Sequence, residues 1–186
     1  MNDVFEAAFR LQDFCQSRAW HFCFIGGLAV QRWGEPRMTR DADLTLLTGF
    51  GGEEQFIHAL LQQFPGRRDD ALEFALQYRV LLLEDQNGTP FDIALGALPF
   101  EYSAIERASS WEINKGRQLI TVSAEDLIIQ KAFANRPQDW LDVEGIIARQ
   151  FNKLNWTIVD ETLPGLLELK GAPEIMENLA RMRESM

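Results

Sequence analysis

The segment Asp41-Ala42-Asp43-Leu44-Thr45-Leu46-Leu47 narrows the fold more than any other stretch of this chain. Read as a strand, it puts Asp41, Asp43 and Thr45 on one face and Ala42, Leu44 and Leu46 on the other, because side chains alternate. The apolar face has to pack on a core. The other face carries two carboxylates at the start of the strand, and two such charges repel unless a cation or hydrogen-bond donors offset them. The chain is therefore expected to build a sheet with one covered face and one chemically active face.

The flanking sequence supplies the rest of that sheet. Trp20–Ile25 reads as a short strand buried on both sides and stopped by Gly26-Gly27. Before it, Asp3 opens a helix as a capping box with Glu6, and Val4, Ala8, Leu11 and Cys15 form its buried stripe. After it, Gly27–Trp33 reads as a short helix, and residues 53–64 as another through Phe56, Leu60, Leu61 and Phe64. Phe74–Leu83 is expected to be a strand joined through the Asn87-Gly88 turn to Pro90–Leu95, with a further strand at Gln118–Val122. Helices are then expected from Ser123 to about Ala134, from Pro137 to Arg149, over Thr157–Lys170 and over Pro173–Arg183. The expected fold class is α/β (α+β): a mixed sheet flanked by helices with a helical C-terminal third. The expected organisation is a core over 1–122 and a helical region over 123–186 packed on it as one unit.

A third acid stands in Pro90-Phe91-Asp92-Ile93-Ala94-Leu95, where Asp92 shares its face only with the small residues Ala94 and Gly96. If this strand pairs with 41–47, Asp41, Asp43 and Asp92 converge. Mg²⁺ or Mn²⁺ suits such a trio, because a hard cation takes carboxylate oxygens and keeps positions for water and phosphate. Gly26 and Gly27 let backbone N–H groups approach an anion at a helix start. Arg37 and Arg40, just before Asp41, add positive charge.

The order apolar-Gly-Gly, thirteen intervening residues, Asp-x-Asp and a later strand Asp resembles the DNA polymerase beta-like nucleotidyltransferase superfamily. Gly26-Gly27-Leu28-Ala29-Val30, Trp33-Gly34 and Arg37 to Leu44 look closer to its small bacterial branch. That branch comprises minimal nucleotidyltransferases and the abortive-infection toxins of type IV toxin–antitoxin systems. Glu125 to Lys131, Arg136, Asp139 and Asp142 are similar to that branch's downstream helical signature, and the likeness covers roughly 20–145. The resemblance implies transfer of a nucleoside monophosphate from an NTP such as ATP to an acceptor hydroxyl, with release of pyrophosphate. It implies that Gly26 and Gly27 contact the triphosphate, that Asp41 and Asp43 bind metal, and that Asp92 is the third ligand and activates the acceptor. It implies that Lys131 projects toward the nucleotide, with Arg136 and Asp139 shaping that wall. The alternative is a non-catalytic nucleotide- or protein-binding module on the same fold.

Bland readings stand beside these. Lys131 also suits a solvated helix position, and Arg136 with Asp139 suits a surface pair. His21, Cys15 and Cys23 read as structural core residues, and Gly49-Phe50-Gly51-Gly52 as a linker without the ending of a phosphate-binding P-loop. With 18 Lys and Arg against 28 Asp and Glu, the net charge is −10, which disfavours a broad grip on nucleic acid. The acceptor is left open among a tRNA end, a protein and a small molecule, with an antitoxin as a partner. No apolar run reaches membrane-span length and no secretory signal opens the chain, so a cytoplasmic site is expected.

Overall fold

The computed structural model describes residues 3–184 and divides the chain into two units. The first comprises the residues up to Leu28 and Met38–Val122, and the second Ala29–Arg37 with the residues from Ser123 onward.

In the first unit the described residues form one sheet of six strands. They are β1 (Phe22–Phe24), β2 (Ala42–Leu47), β3 (Val80–Glu84), β4 (Pro90–Gly96), β5 (Ser109–Asn114) and β6 (Arg117–Thr121), in the order β3-β4-β2-β1-β6-β5. The sheet is mixed. β2 runs antiparallel to β1 and parallel to β4, and β1 runs parallel to β6. Helices α1 (Asp3–Ser17), α3 (Glu53–Leu61) and α4 (Ala71–Tyr78) share one core with this sheet. Leu44 and Leu46 of β2, Phe91 and Ile93 of β4 and Leu81 and Leu83 of β3 enter that core. Alternation then commits Asp43 and Asp92 to the opposite face.

Helix α2 (Gly26–Trp33) starts in the first unit, and its residues from Ala29 belong to the second. There, α6 (Ala124–Ala134) packs on α7 (Pro137–Gln150), α8 (Trp156–Lys170) and α9 (Ile175–Glu184). Leu127, Ile128, Val143, Ile146, Val159, Leu163 and Leu179 are buried among these helices. Ser123 caps α6 by accepting from the Asp126 N–H at 3.1 Å. Gly171, at φ +70°, ends α8 in the left-handed conformation that lacks a Cβ penalty.

Several local expectations change. Residues 71–78 are helical, so the strand expected from Phe74 begins only at Val80. Ala71 and Ala75 bury one stripe, and Arg79 at φ +56° closes the helix. Helix α5 (Pro99–Glu106) and strand β5 were not anticipated. Glu101 caps α5 by accepting from Ala97 N and Leu98 N at 2.7 and 2.8 Å. Gly116, at φ +82°, turns β5 into β6. The Glu6 carboxylate takes the Arg117 guanidinium at 2.9 Å, and the cap expected at the start of α1 falls at the edge of the described residues. His21 is exposed, not a core residue. Cys15 and Cys23 are buried thiols, and burial pushes the Cys15 thiol up to about 12, which leaves it inert.

Candidate active site

Strands β2 and β4 pair in parallel with Asp43 opposite Asp92, so the two carboxylates leave adjacent strands on one face. Neighbouring strands lie about 4.8 Å apart, which brings the acids within reach of a shared ligand. Both residues are half-buried, while Ala42, Leu44, Phe91 and Ile93 beside them are buried.

The glycine pair closes on the same place. Ile25 N donates to Asp43 O at 2.9 Å, which ties the end of β1 to the start of β2. Gly26 follows at φ +56°, and a Cβ there would stand 1.8 Å from Asp43 Oδ2. Only glycine admits both that backbone and that carboxylate. A Cβ on Gly27 would stand 2.2 Å from the Thr39 hydroxyl oxygen. Thr39 is buried and donates its hydroxyl to Asp41 Oδ1 at 2.8 Å. Asp41 itself precedes the strand, which begins at Ala42.

Asp92 meets a different donor. The Arg67 guanidinium forms an ion pair with its Oδ1. Sequence reasoning singled out neither Thr39 nor Arg67. Thr39 lies two residues before Asp41 and carried a local signal, whereas Arg67 lies 25 residues from Asp92 and carried none. Among the described residues, no group of three or more His, Cys, Asp or Glu side chains is gathered tightly enough to hold a metal ion as it stands. Asp43 and Asp92 stand opposite each other in register, while Asp41 takes the Thr39 hydroxyl and Asp92 takes the Arg67 guanidinium. The donor set still fits a hard divalent cation: carboxylate oxygens, in register, beside a backbone kept bare of Cβ atoms.

The other predicted residues differ in exposure. Arg40 is exposed. In the second unit Lys131 is buried at 7% exposure and bonded to Asp139 at 3.0 Å and Asp142 at 2.8 Å. Lys131 is therefore not a solvated charge. Arg37 grips Asp142 with a fork at 2.8 and 3.0 Å, and Arg136 holds Asp139 through Nε at 2.6 Å. Burial raises the Asp139 and Asp142 carboxyls, but the bonds from Arg136, Arg37 and Lys131 outweigh it and hold both below the ordinary carboxylate value. Lys131, Arg136, Asp139 and Asp142 of the downstream signature thus join Arg37 in one ion cluster.

This mixed sheet, with Asp43 and Asp92 in register and Gly26 against the Asp43 carboxylate, is of the nucleotidyltransferase fold class. Solved structures of similar fold carry that class in their names. The antibiotic-resistance factor ANT(2'')-Ia is 18% identical with a TM-score of 0.58, over 95% of this chain and 96% of that one. An antigenic nucleotidyltransferase-like protein from Paracoccidioides brasiliensis is 16% identical with a TM-score of 0.54, over 98% and 93%. The lincosamide antibiotic adenylyltransferase LnuA, in its lincomycin-bound form, is 13% identical with a TM-score of 0.50, over 76% and 94%. No curated protein matches. Residues 14–182 match the family described as nucleotidyl transferase AbiEii toxin, type IV TA system, and the chain belongs to that family. Among the described residues no helix is long and apolar enough to cross a membrane.

Proposed function

We propose that this nucleotidyltransferase moves a nucleoside monophosphate from an NTP to an acceptor hydroxyl in a divalent-cation-dependent reaction that releases pyrophosphate. The observation that carries the reading is the Asp43–Asp92 register with Gly26 against the Asp43 carboxylate. When bound, Mg²⁺ or Mn²⁺ would neutralise the triphosphate and polarise the reacting oxygens. Asp43 and Asp92 would hold it from adjacent strands, with Asp41 contributing after leaving the Thr39 hydroxyl. Gly26 and Gly27 would present backbone N–H groups to the triphosphate at the start of α2. Asp92 would accept the proton of the acceptor hydroxyl as that oxygen attacks the α-phosphorus. Arg40 would add charge on the phosphate side.

The family supports a toxin role, and we infer a cytoplasmic enzyme restrained by an antitoxin. The acceptor belongs to one of three classes: a tRNA end, a protein or a small molecule. The test incubates purified protein with each α-labelled NTP and Mg²⁺ or Mn²⁺, with and without cell extract, beside Asp43→Asn. Label transferred by the wild type alone establishes the reaction and names the acceptor class. Equal transfer by Asp43→Asn overturns the site.

A further inference from the structure

Arg67 reaches Asp92 along a backbone path that the sheet fixes. Gly66 bridges to Leu83, and Arg67 N donates to Leu82 O at 3.0 Å, so residues 66–67 extend the open edge of β3. Leu82 is the register partner of Asp92. The guanidinium therefore passes over one strand to meet the carboxylate on the next. The following arginine is committed elsewhere: Arg68 forks onto Asp70 at 2.7 and 2.9 Å and lies over the Phe74 ring. Arg67 approaches from the β3 edge, whereas the glycine pair follows β1, on the far side of β2.

We propose that Arg67 is the positioning residue of the third carboxylate, a built-in cation that holds Asp92 until a divalent ion displaces it. The inference rests on the reading of Asp43 and Asp92 as cation ligands. A guanidinium N–H and a metal ion compete for the same carboxylate lone pairs. Before loading, Arg67 offsets the repulsion between Asp92 and Asp43 and keeps the Asp92 carboxylate aimed over the sheet. Loading has to break that bond, so Arg67 lowers the affinity of the site for cations. With side chains 29% and 43% exposed, the pair is partly screened, and its effect is correspondingly modest.

The test is calorimetric titration of the full chain with Mn²⁺ alone, for wild type, Arg67→Gln, Arg67→Lys, Asp43→Asn, Asp92→Asn and the Arg67→Gln/Asp92→Asn double variant. Circular dichroism and thermal melts verify the fold of each. Arg67→Gln is expected to bind Mn²⁺ more tightly, by up to about fivefold, which corresponds to about 1 kcal/mol. Arg67→Lys keeps the charge and is expected to stay near wild type. The gain should vanish when Asp92→Asn is already present. Folded Arg67→Gln that binds Mn²⁺ no more tightly, or that keeps its gain without the Asp92 carboxylate, overturns the proposal while Asp43→Asn still loses Mn²⁺. Unchanged Mn²⁺ binding in both Asp43→Asn and Asp92→Asn overturns the cation reading itself, and the role of Arg67 with it.

Discussion

The protein holds two groupings of acids that differ in how their charge is balanced. Asp139 and Asp142 sit at 1% and 4% exposure and are bonded by Lys131, Arg136, Arg37 and Gln138. Asp43 and Asp92 are half-buried, side by side on adjacent strands, beside a backbone that tolerates no Cβ. A deeply buried carboxylate must satisfy its acceptor sites within the protein, and such a cluster serves the fold. Asp43 and Asp92 are part-exposed, with Arg67 paired to Asp92, so their carboxylates stay open to exchange with a ligand. The difference separates acids buried and bonded in the second unit from the pair in the first that we propose as cation ligands.

The largest effect expected from breaking this contrast is on stability. Asp142→Ala strips Arg37 of its fork and Lys131 of one partner, and should cost about 3 kcal/mol by urea denaturation of the full chain. An unchanged midpoint would mean the cluster is not structural. Asp43→Asn should do the opposite, lowering transfer roughly 100-fold or more while leaving stability within about 1 kcal/mol. Gly26→Ala tests the same site through the backbone. Its Cβ would collide with the Asp43 carboxylate and force an alanine into φ +56°. A loss of transfer of about tenfold is expected, with a stability cost of about 1 kcal/mol.

Acid sharpens the comparison further. Asp139 and Asp142 have folded-state values below the ordinary 3.8, so they bind protons less readily folded than unfolded. Their stabilisation is complete above 3.8 and is lost as pH falls through the depressed folded values. The deficit of Asp142→Asn relative to wild type should therefore persist down to that range and shrink below it, read from denaturation midpoints across a pH series. The smallest effect belongs to Arg136→Ala. That side chain is 72% exposed, and its removal should cost about 1 kcal/mol or less.

How legible each part was depended on how far apart in sequence its determinants lie. Asp43 and Asp92 were visible because each sits in its own alternating apolar segment, so each strand announced its two faces. The α4 segment was not. Phe74 and the following apolar residues suit a strand, yet the stripe that decides the matter is Ala71 with Ala75, two small residues that weigh little in a periodicity. Strand β5 escaped because Ser109–Asn114 is largely exposed and alternates weakly. Lys131 looked either solvated or ligand-facing; it is buried, because two aspartates from the next helix pair with it.

By itself the sequence determined the mixed sheet with its helical C-terminal third, the apolar and acidic faces of β2 and β4, and the glycine pair between β1 and α2. These are local properties: the alternation of side chains along a strand, capping at helix starts, and the backbone freedom of glycine. Only the tertiary structure decided which charges meet. The Arg67–Asp92, Arg37–Asp142 and Glu6–Arg117 pairs join residues 25, 105 and 111 positions apart. A charge in a sequence has no direction until packing brings another within reach. Strand alternation is fixed by backbone geometry alone, whereas the partner of an ionised side chain is fixed by the path of the whole chain.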